Sequence, residues 1–121
     1  MRTLIDLFET FEALGDKTAF VNRTGVRRLV VSYRQFHDLA LQMASLLAQS
    51  GVAVGDRVLI WGPNSSWWAI AYWGIIIRGA IAVPVDFMCD LARAESILSL
   101  TKAKVVLQSR FKPERMRKSR I

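Results

Sequence analysis

The chain has 121 residues, 52% of them apolar, one cysteine and a formal net charge of +7. That length suits one domain or part of one. The single cysteine, Cys89, excludes an internal disulfide and fits a reducing compartment, for which a cytoplasmic location is expected. Asp6, Glu9 and Glu12 interrupt any apolar run near the N-terminus, which argues against a signal peptide. The charge is unevenly placed: residues 110–121 contribute +5, which leaves residues 1–109 at +2. A nearly neutral body with a basic tail gives little reason to expect a nucleic-acid binder. The tail has one aromatic, Phe111, and no recognisable module.

Thr3–Leu14 reads as an amphipathic helix, with Leu4, Leu7, Phe8 and Phe11 at helical spacing and Gly15 as its stop. Thr18–Asn22 and Arg27–Val31 are rich in strand formers, and Arg23-Thr24-Gly25 between them predicts a hairpin. That hairpin is expected at an edge of the domain, with Arg27 and Arg28 facing water. Ser32 and Gln35 have the spacing of a capping box. They open a helix whose apolar face is Phe36, Leu39, Ala40, Met43 and Leu47, closed by Gly51.

The centre of the chain is Arg57–Asp86. Val58–Trp61 is a run too short for a helix but suited to a strand buried on both faces. Gly62-Pro63-Asn64-Ser65 breaks it, and Asn64, Ser65 or Ser66 can cap the next helix. Trp67–Ile77 is apolar all round, so that helix should be buried. Gly79 fits a left-handed cap, and Ile81–Val83 predicts a strand parallel to the first, reached by a right-handed crossover. Ser65–Val85 also has about the length of a membrane span, ~20 residues. Arg78 within it, and the breaks at Gly74, Gly79 and Pro84, favour the α/β reading.

Asp90 is expected to cap a helix over about Leu91–Thr101 that buries Leu91, Ala94, Ile97 and Leu98, and Lys104–Gln108 reads as one more buried strand. The expected fold class is therefore α/β. It is a partial doubly wound, mostly parallel sheet with helices on both faces, plus an N-terminal helix and a β-hairpin. Residues 1–109 form the folded part, and residues 110–121 form a tail without apolar periodicity, expected to be disordered.

Few residues invite a chemical reading. The turn Gly62–Ser66 precedes a helix N-terminus, which can hold an anion, but it matches no phosphate-binding fingerprint and is read first as a cap. His37, the only histidine, has only Asp38 beside it in sequence and is read as an ordinary helix residue. Cys89 lacks the neighbours of a metal site and is read as a small apolar residue. Asp86 and Asp90 are read as a strand end and a helix cap. Trp61, Trp67, Trp68 and Trp73 are read as core or interface. If any of them lines a pocket, an acyl chain would suit it.

Two segments carry a resemblance. Asp56-Arg57-Val58-Leu59-Ile60, Asn64-Ser65 and Arg78-Gly79-Ala80-Ile81-Ala82-Val83-Pro84-Val85-Asp86 form one. Val31-Ser32-Tyr33-Arg34-Gln35-Phe36 forms the other, with Val where Leu is usual. From about Thr3 to Gln108 the chain resembles the AMP-forming acyl-CoA synthetases, members of the adenylate-forming enzymes. The turn and the Trp-rich helix look most like those of bacterial fatty-acid ligases.

The resemblance implies a carboxylic acid activated with ATP and Mg²⁺ to an acyl-adenylate, then transferred to coenzyme A. The family's chemistry sits on segments absent from this sequence: a Ser/Thr/Gly-rich loop ending in Pro-Lys-Gly, an acidic ribose ligand and a lysine on a mobile C-terminal domain. No catalytic, cofactor-binding or metal-binding residue is therefore assigned here. ATP, Mg²⁺ and coenzyme A are implied only for the full-length family. The chain is expected to be an N-terminal piece, inactive alone, whose partner is the remainder of the ligase domain. The alternative is a stand-alone, non-catalytic module that works by self-association or partner binding. A fatty acid is the expected substrate of the whole, and peripheral membrane association is left open.

Overall fold

The structure is a computed structural model, and it describes residues 3–24 and 26–109. The chain runs α1 (Leu4–Leu14), β1 (Thr18–Thr24), β2 (Arg27–Ser32), α2 (Tyr33–Gln49), β3 (Arg57–Trp61), α3 (Ser66–Arg78), β4 (Ile81–Val85), α4 (Leu91–Thr101), β5 (Val105–Gln108). This is the expected α/β order. The basic tail, residues 110–121, lies outside the described residues.

Local chemistry sets the helix starts. Thr3 caps α1 and Ser32 caps α2, each with a reciprocal box: Thr3 with Asp6, Ser32 with Gln35. Asp90 caps α4, where its Oδ1 accepts from the Arg93 N–H at 2.8 Å. Gly79 ends α3 at φ 80°, a left-handed position that costs glycine nothing.

β3 is the central strand of a parallel sheet of order β4-β3-β5. The topology follows from handedness. The crossover from β3 to β4 moves one way along the sheet, and the crossover from β4 to β5 moves back past β3. Both can be right-handed only if their helices lie on opposite faces. The core agrees. Val58 and Ile60 of β3 pack with Ala71 and Ile75 of α3, and Leu59 and Trp61 pack with Ala94 and Leu98 of α4. Alternate residues of one strand thus serve two cores, as a strand covered on both faces requires.

β4 is an edge, half-exposed over Ile81–Pro84, and it carries Pro84, whose missing N–H is tolerated there. β1 and β2 form a separate antiparallel hairpin. Phe20 and Val31 of the hairpin pack with Phe8, Phe36, Ala40 and Ile70 in a third cluster under α1, α2 and α3. The strands run further than expected, to Thr24 and Ser32. Arg27 and Arg28 face solvent.

α3 buries Ser66, Ile70, Ala71, Gly74 and Ile75, and most of its other residues are half-buried rather than buried all round as expected. Trp67 departs from the expectation and stands 61% exposed. Helical side chains tilt toward the N-terminus, so this residue of the first turn reaches past the elements that cover the rest. Among the described residues, no helix is long and apolar enough to cross a membrane.

Candidate functional site: the junction at the ends of the parallel strands

In an open α/β sheet, ligands usually meet the carboxyl ends of the strands. Here that end comprises Gly62–Ser66 after β3, Asp86–Asp90 after β4 and Ser109 after β5. Two clefts open there, about 450 and 420 Å³, and they share Asn64 and Trp68 as a dividing wall. The first lies between β1 and the start of α3, lined by Phe20, Val21, Asn22 and Ser66. The second is lined by Pro63, Pro84, Phe87 and Met88 with Asp86 at its rim.

Several polar groups of the junction are engaged within the fold. Ser65 caps α3, accepting from the Trp68 N–H at 3.2 Å. Ser66 is buried at 1% exposure and is clamped by Asn22 of β1. The Asn22 amide donates to the Ser66 hydroxyl, and its carbonyl oxygen accepts from the Ser66 N–H at 3.4 Å. Asp86 closes its own turn, accepting from the Met88 N–H at 2.9 Å, while its backbone carbonyl accepts from the Trp61 indole at 3.2 Å. Gly62 lies so close to Ser109 that a Cβ there would meet the Ser109 Cβ at 2.9 Å. The cap and the clamp take up the Ser66 and Trp68 N–H groups and the Ser65 and Ser66 hydroxyls of the turn.

The other residues singled out from sequence make contacts within the fold. His37 stacks on Phe8 with ring centroids 4.6 Å apart, and its nearest acid is Asp38 at 3.7 Å. Cys89 packs against the cluster of Leu59, Trp61 and Leu98. Asp86 and Asp90 serve separate turns. Trp61 is fully buried, Trp73 lies against Phe8 and Phe11, and Trp68 stacks on Tyr72 at 5.5 Å. Among the described residues, no group of three or more His, Cys, Asp or Glu could hold a metal.

Three charged residues of the signature segment, Asp56, Arg57 and Arg78, act at the opposite end of the sheet. The Asp56 carboxylate accepts from the Ala53 N–H at 2.8 Å and lies 3.5 Å from the Lys104 ammonium. Its carboxyl is held below the ordinary value, first by that backbone hydrogen bond and then by Lys104. Arg57 donates to the Thr101 carbonyl at 3.1 Å, and Arg78 donates to the Val52 carbonyl at 2.7 Å. These three charges tie the loop before β3 to the ends of α4 and α3.

Sequence reading did not find the Asn22–Ser66 clamp. Its partners are 44 residues apart, and neither belongs to a chemical motif. The one available signal was Ser66 directly after two other candidate caps, which left it no capping task of its own.

A family model described as "AMP-binding enzyme" matches residues 7–120. The long-chain-fatty-acid–CoA ligase FadD13 of Mycobacterium tuberculosis is 35% identical over 77 residues, covering 64% of this chain and 15% of the relative. The 4-coumarate–CoA ligase 1 of Petroselinum crispum is 29% identical over 100 residues, covering 83% of this chain and 18% of the relative. A crystal structure of the N-terminal domain of FACL13 from M. tuberculosis superposes with a TM-score of 0.79 at 28% identity, covering 89% of this chain and 27% of that one. The chain thus spans less than a fifth of the length of these curated relatives. The chain belongs to the AMP-binding enzyme family and corresponds to an N-terminal portion of its adenylate-forming acyl-CoA ligases.

Proposed function

We propose that this chain supplies the first part of the N-terminal domain of an ATP-dependent acyl-CoA ligase and that it is inactive by itself. Residues 1–109 form the scaffold, and the rest of the ligase is its working partner. In the whole enzyme a carboxylate attacks the α-phosphorus of ATP and pyrophosphate leaves. The thiol of coenzyme A then displaces AMP from the acyl-adenylate. ATP, Mg²⁺ and coenzyme A are bound by residues outside this chain, in a cytoplasmic setting.

The observation that carries the reading is the family match over residues 7–120 on a piece whose signature residues Asp56, Arg57, Ser65 and Arg78 are engaged in the fold. A fatty acid is the favoured substrate. A long-chain-fatty-acid–CoA ligase among the relatives supports it.

The test is pyrophosphate exchange into ATP with fatty and aromatic acids, using the chain alone and the chain joined to the remainder of a related ligase. We expect exchange only from the joined protein, and with fatty acids ahead of aromatic ones. Acyl-adenylate formed by the chain alone would refute the inactivity. A joined protein that folds but prefers aromatic acids would refute the substrate class.

A further inference from the structure

Two outward faces of the fold carry charges of opposite sign that make no ion pair among the described residues. On the hairpin, Arg23 lies directly opposite Arg28, and Val21 directly opposite Val30. Successive residues of a strand alternate faces, so these two pairs share one face, while Arg27 lies on the other. Both arginines are exposed, and Val21 and Val30 are each more than 40% exposed. On α1, Ile5, Glu9 and Glu12 recur at i, i+4 and i+7, which places them in one stripe of the helix. All three are exposed.

Each face holds its charges at a cost. Like charges directly opposite each other weaken a strand pair, and Glu9 and Glu12, one turn apart, also repel. The two faces do not meet within one copy. Phe8 of α1 and Phe20 and Val31 of the hairpin pack into the same cluster, so the outward sides of the two elements turn away from each other. Between two copies they match in order and spacing. The hairpin face reads as an apolar pair followed by an arginine pair two residues on, about 7 Å along the strand. The α1 stripe reads as an apolar residue followed by acids, with Glu9 about 6 Å along the helix from Ile5.

We propose that the outward face of the hairpin docks α1 of a second copy of this chain, with Glu9 and Glu12 on Arg23 and Arg28, and Ile5 on Val21 and Val30. The two patches differ, so the contact is head-to-tail and each copy offers one of each. An exposed ion pair contributes up to about fivefold, so two together contribute up to about 30-fold. Such a contact is transient and is weakened by salt. It does not rest on the ligase reading, and neither result decides the other.

The test is sedimentation velocity over a range of concentrations at low and high salt. The six basic residues of 110–121 are replaced by glutamine in every sample, so that the tail cannot supply the cations. We expect a mass that rises with concentration at low salt and returns to the monomer at high salt. Arg23→Glu/Arg28→Glu and Glu9→Arg/Glu12→Arg should each weaken association about 30-fold or more. Mixing these two variants should restore it, because each hairpin then meets an α1 of opposite charge. Both variants keep like charges together on each face, so both should melt close to the parent. The milder Arg23→Gln and Glu9→Gln should each weaken association by up to about fivefold, which keeps the test readable where a reversal disturbs folding. A monomer at every concentration in low salt would overturn the proposal. So would a mixture of folded variants no more associated than its parts, or association lost on reversing the arginines and untouched by reversing the glutamates.

Discussion

Substituting Gly74 by alanine is the sharpest perturbation of this fold. Gly74 sits in the middle of α3, where α2 crosses it, and both helices are buried along that seam. A Cβ at position 74 would lie 2.4 Å from Met43 Cγ, 2.7 Å from Met43 Cβ and 3.3 Å from the Ala40 carbonyl oxygen. The first two distances are far inside van der Waals contact. Met43 Cβ is fixed to the α2 backbone, so a change of rotamer cannot relieve that contact. The helices must separate. Overpacking of this kind costs about 1–3 kcal/mol, and contact with a backbone-anchored atom places it at the upper end. Against this, alanine is the better helix former by about 1 kcal/mol.

The expected net effect is a loss of about 2 kcal/mol, or roughly 8 °C in melting temperature for a fold of this size. Thermal unfolding followed by far-ultraviolet circular dichroism measures it. Met43→Ala in the same chain removes the Cγ contact but not the Cβ one, so it should restore part of the loss, with a coupling of about 1 kcal/mol. A Gly74→Ala chain as stable as the parent, or more stable, would refute the reasoning. It would mean that helix propensity outweighs the close crossing.

Other substitutions probe the junction and the base of the sheet. Asn22→Ala strands the buried Ser66 hydroxyl and should cost about 1–3 kcal/mol, read as a fall in the urea midpoint at unchanged slope; no change would remove the clamp from the account. Ser65→Ala should cost about 1 kcal/mol, and Ser65→Asp should restore it, because only the alanine lacks an oxygen for the Trp68 N–H. Asp56→Asn tests the acid limb. The Asp56 carboxyl is lowered in the folded chain, so its contribution is complete above the unfolded value of about 3.9 and is lost as pH falls through the lower folded value. The stability difference between parent and Asp56→Asn should therefore be constant near neutral pH and should shrink below about pH 4. A difference that stays constant down to acid unfolding would assign the effect to packing.

Much of the fold was legible because its signals are local. Thr3, Ser32 and Asp90 announce helices through the geometry of three or four residues. Val58–Trp61 announces a two-faced strand by an apolar run with no polar alternation. Gly79 announces a left-handed cap. What the sequence leaves silent is set by pairs far apart. The Arg23–Arg28 opposition depends on the hairpin register, which the turn alone does not specify. The Asn22–Ser66 clamp depends on the placement of the hairpin over α3, a consequence of the third core cluster. Trp67 looked like its buried neighbours because composition does not reveal that the first turn of α3 outruns its cover.

The signature segments mark the family, and the structure gives a physical reason for their charged residues. Asp56, Arg57 and Arg78 are charged, which from sequence alone invites a functional reading. Each is tied to a backbone group of a neighbouring segment: Ala53, Thr101 and Val52 in turn. A backbone N–H or carbonyl left without a partner at such a junction costs free energy, and a long side chain can reach across a gap that the backbone cannot close. The requirement is geometric. It fixes the loop before β3 against the ends of α3 and α4, and so fixes where the carboxyl ends of β3, β4 and β5 emerge. The loops that follow those strands inherit that placement. A chain that keeps these ties keeps the platform, and the platform is what the matched residues encode.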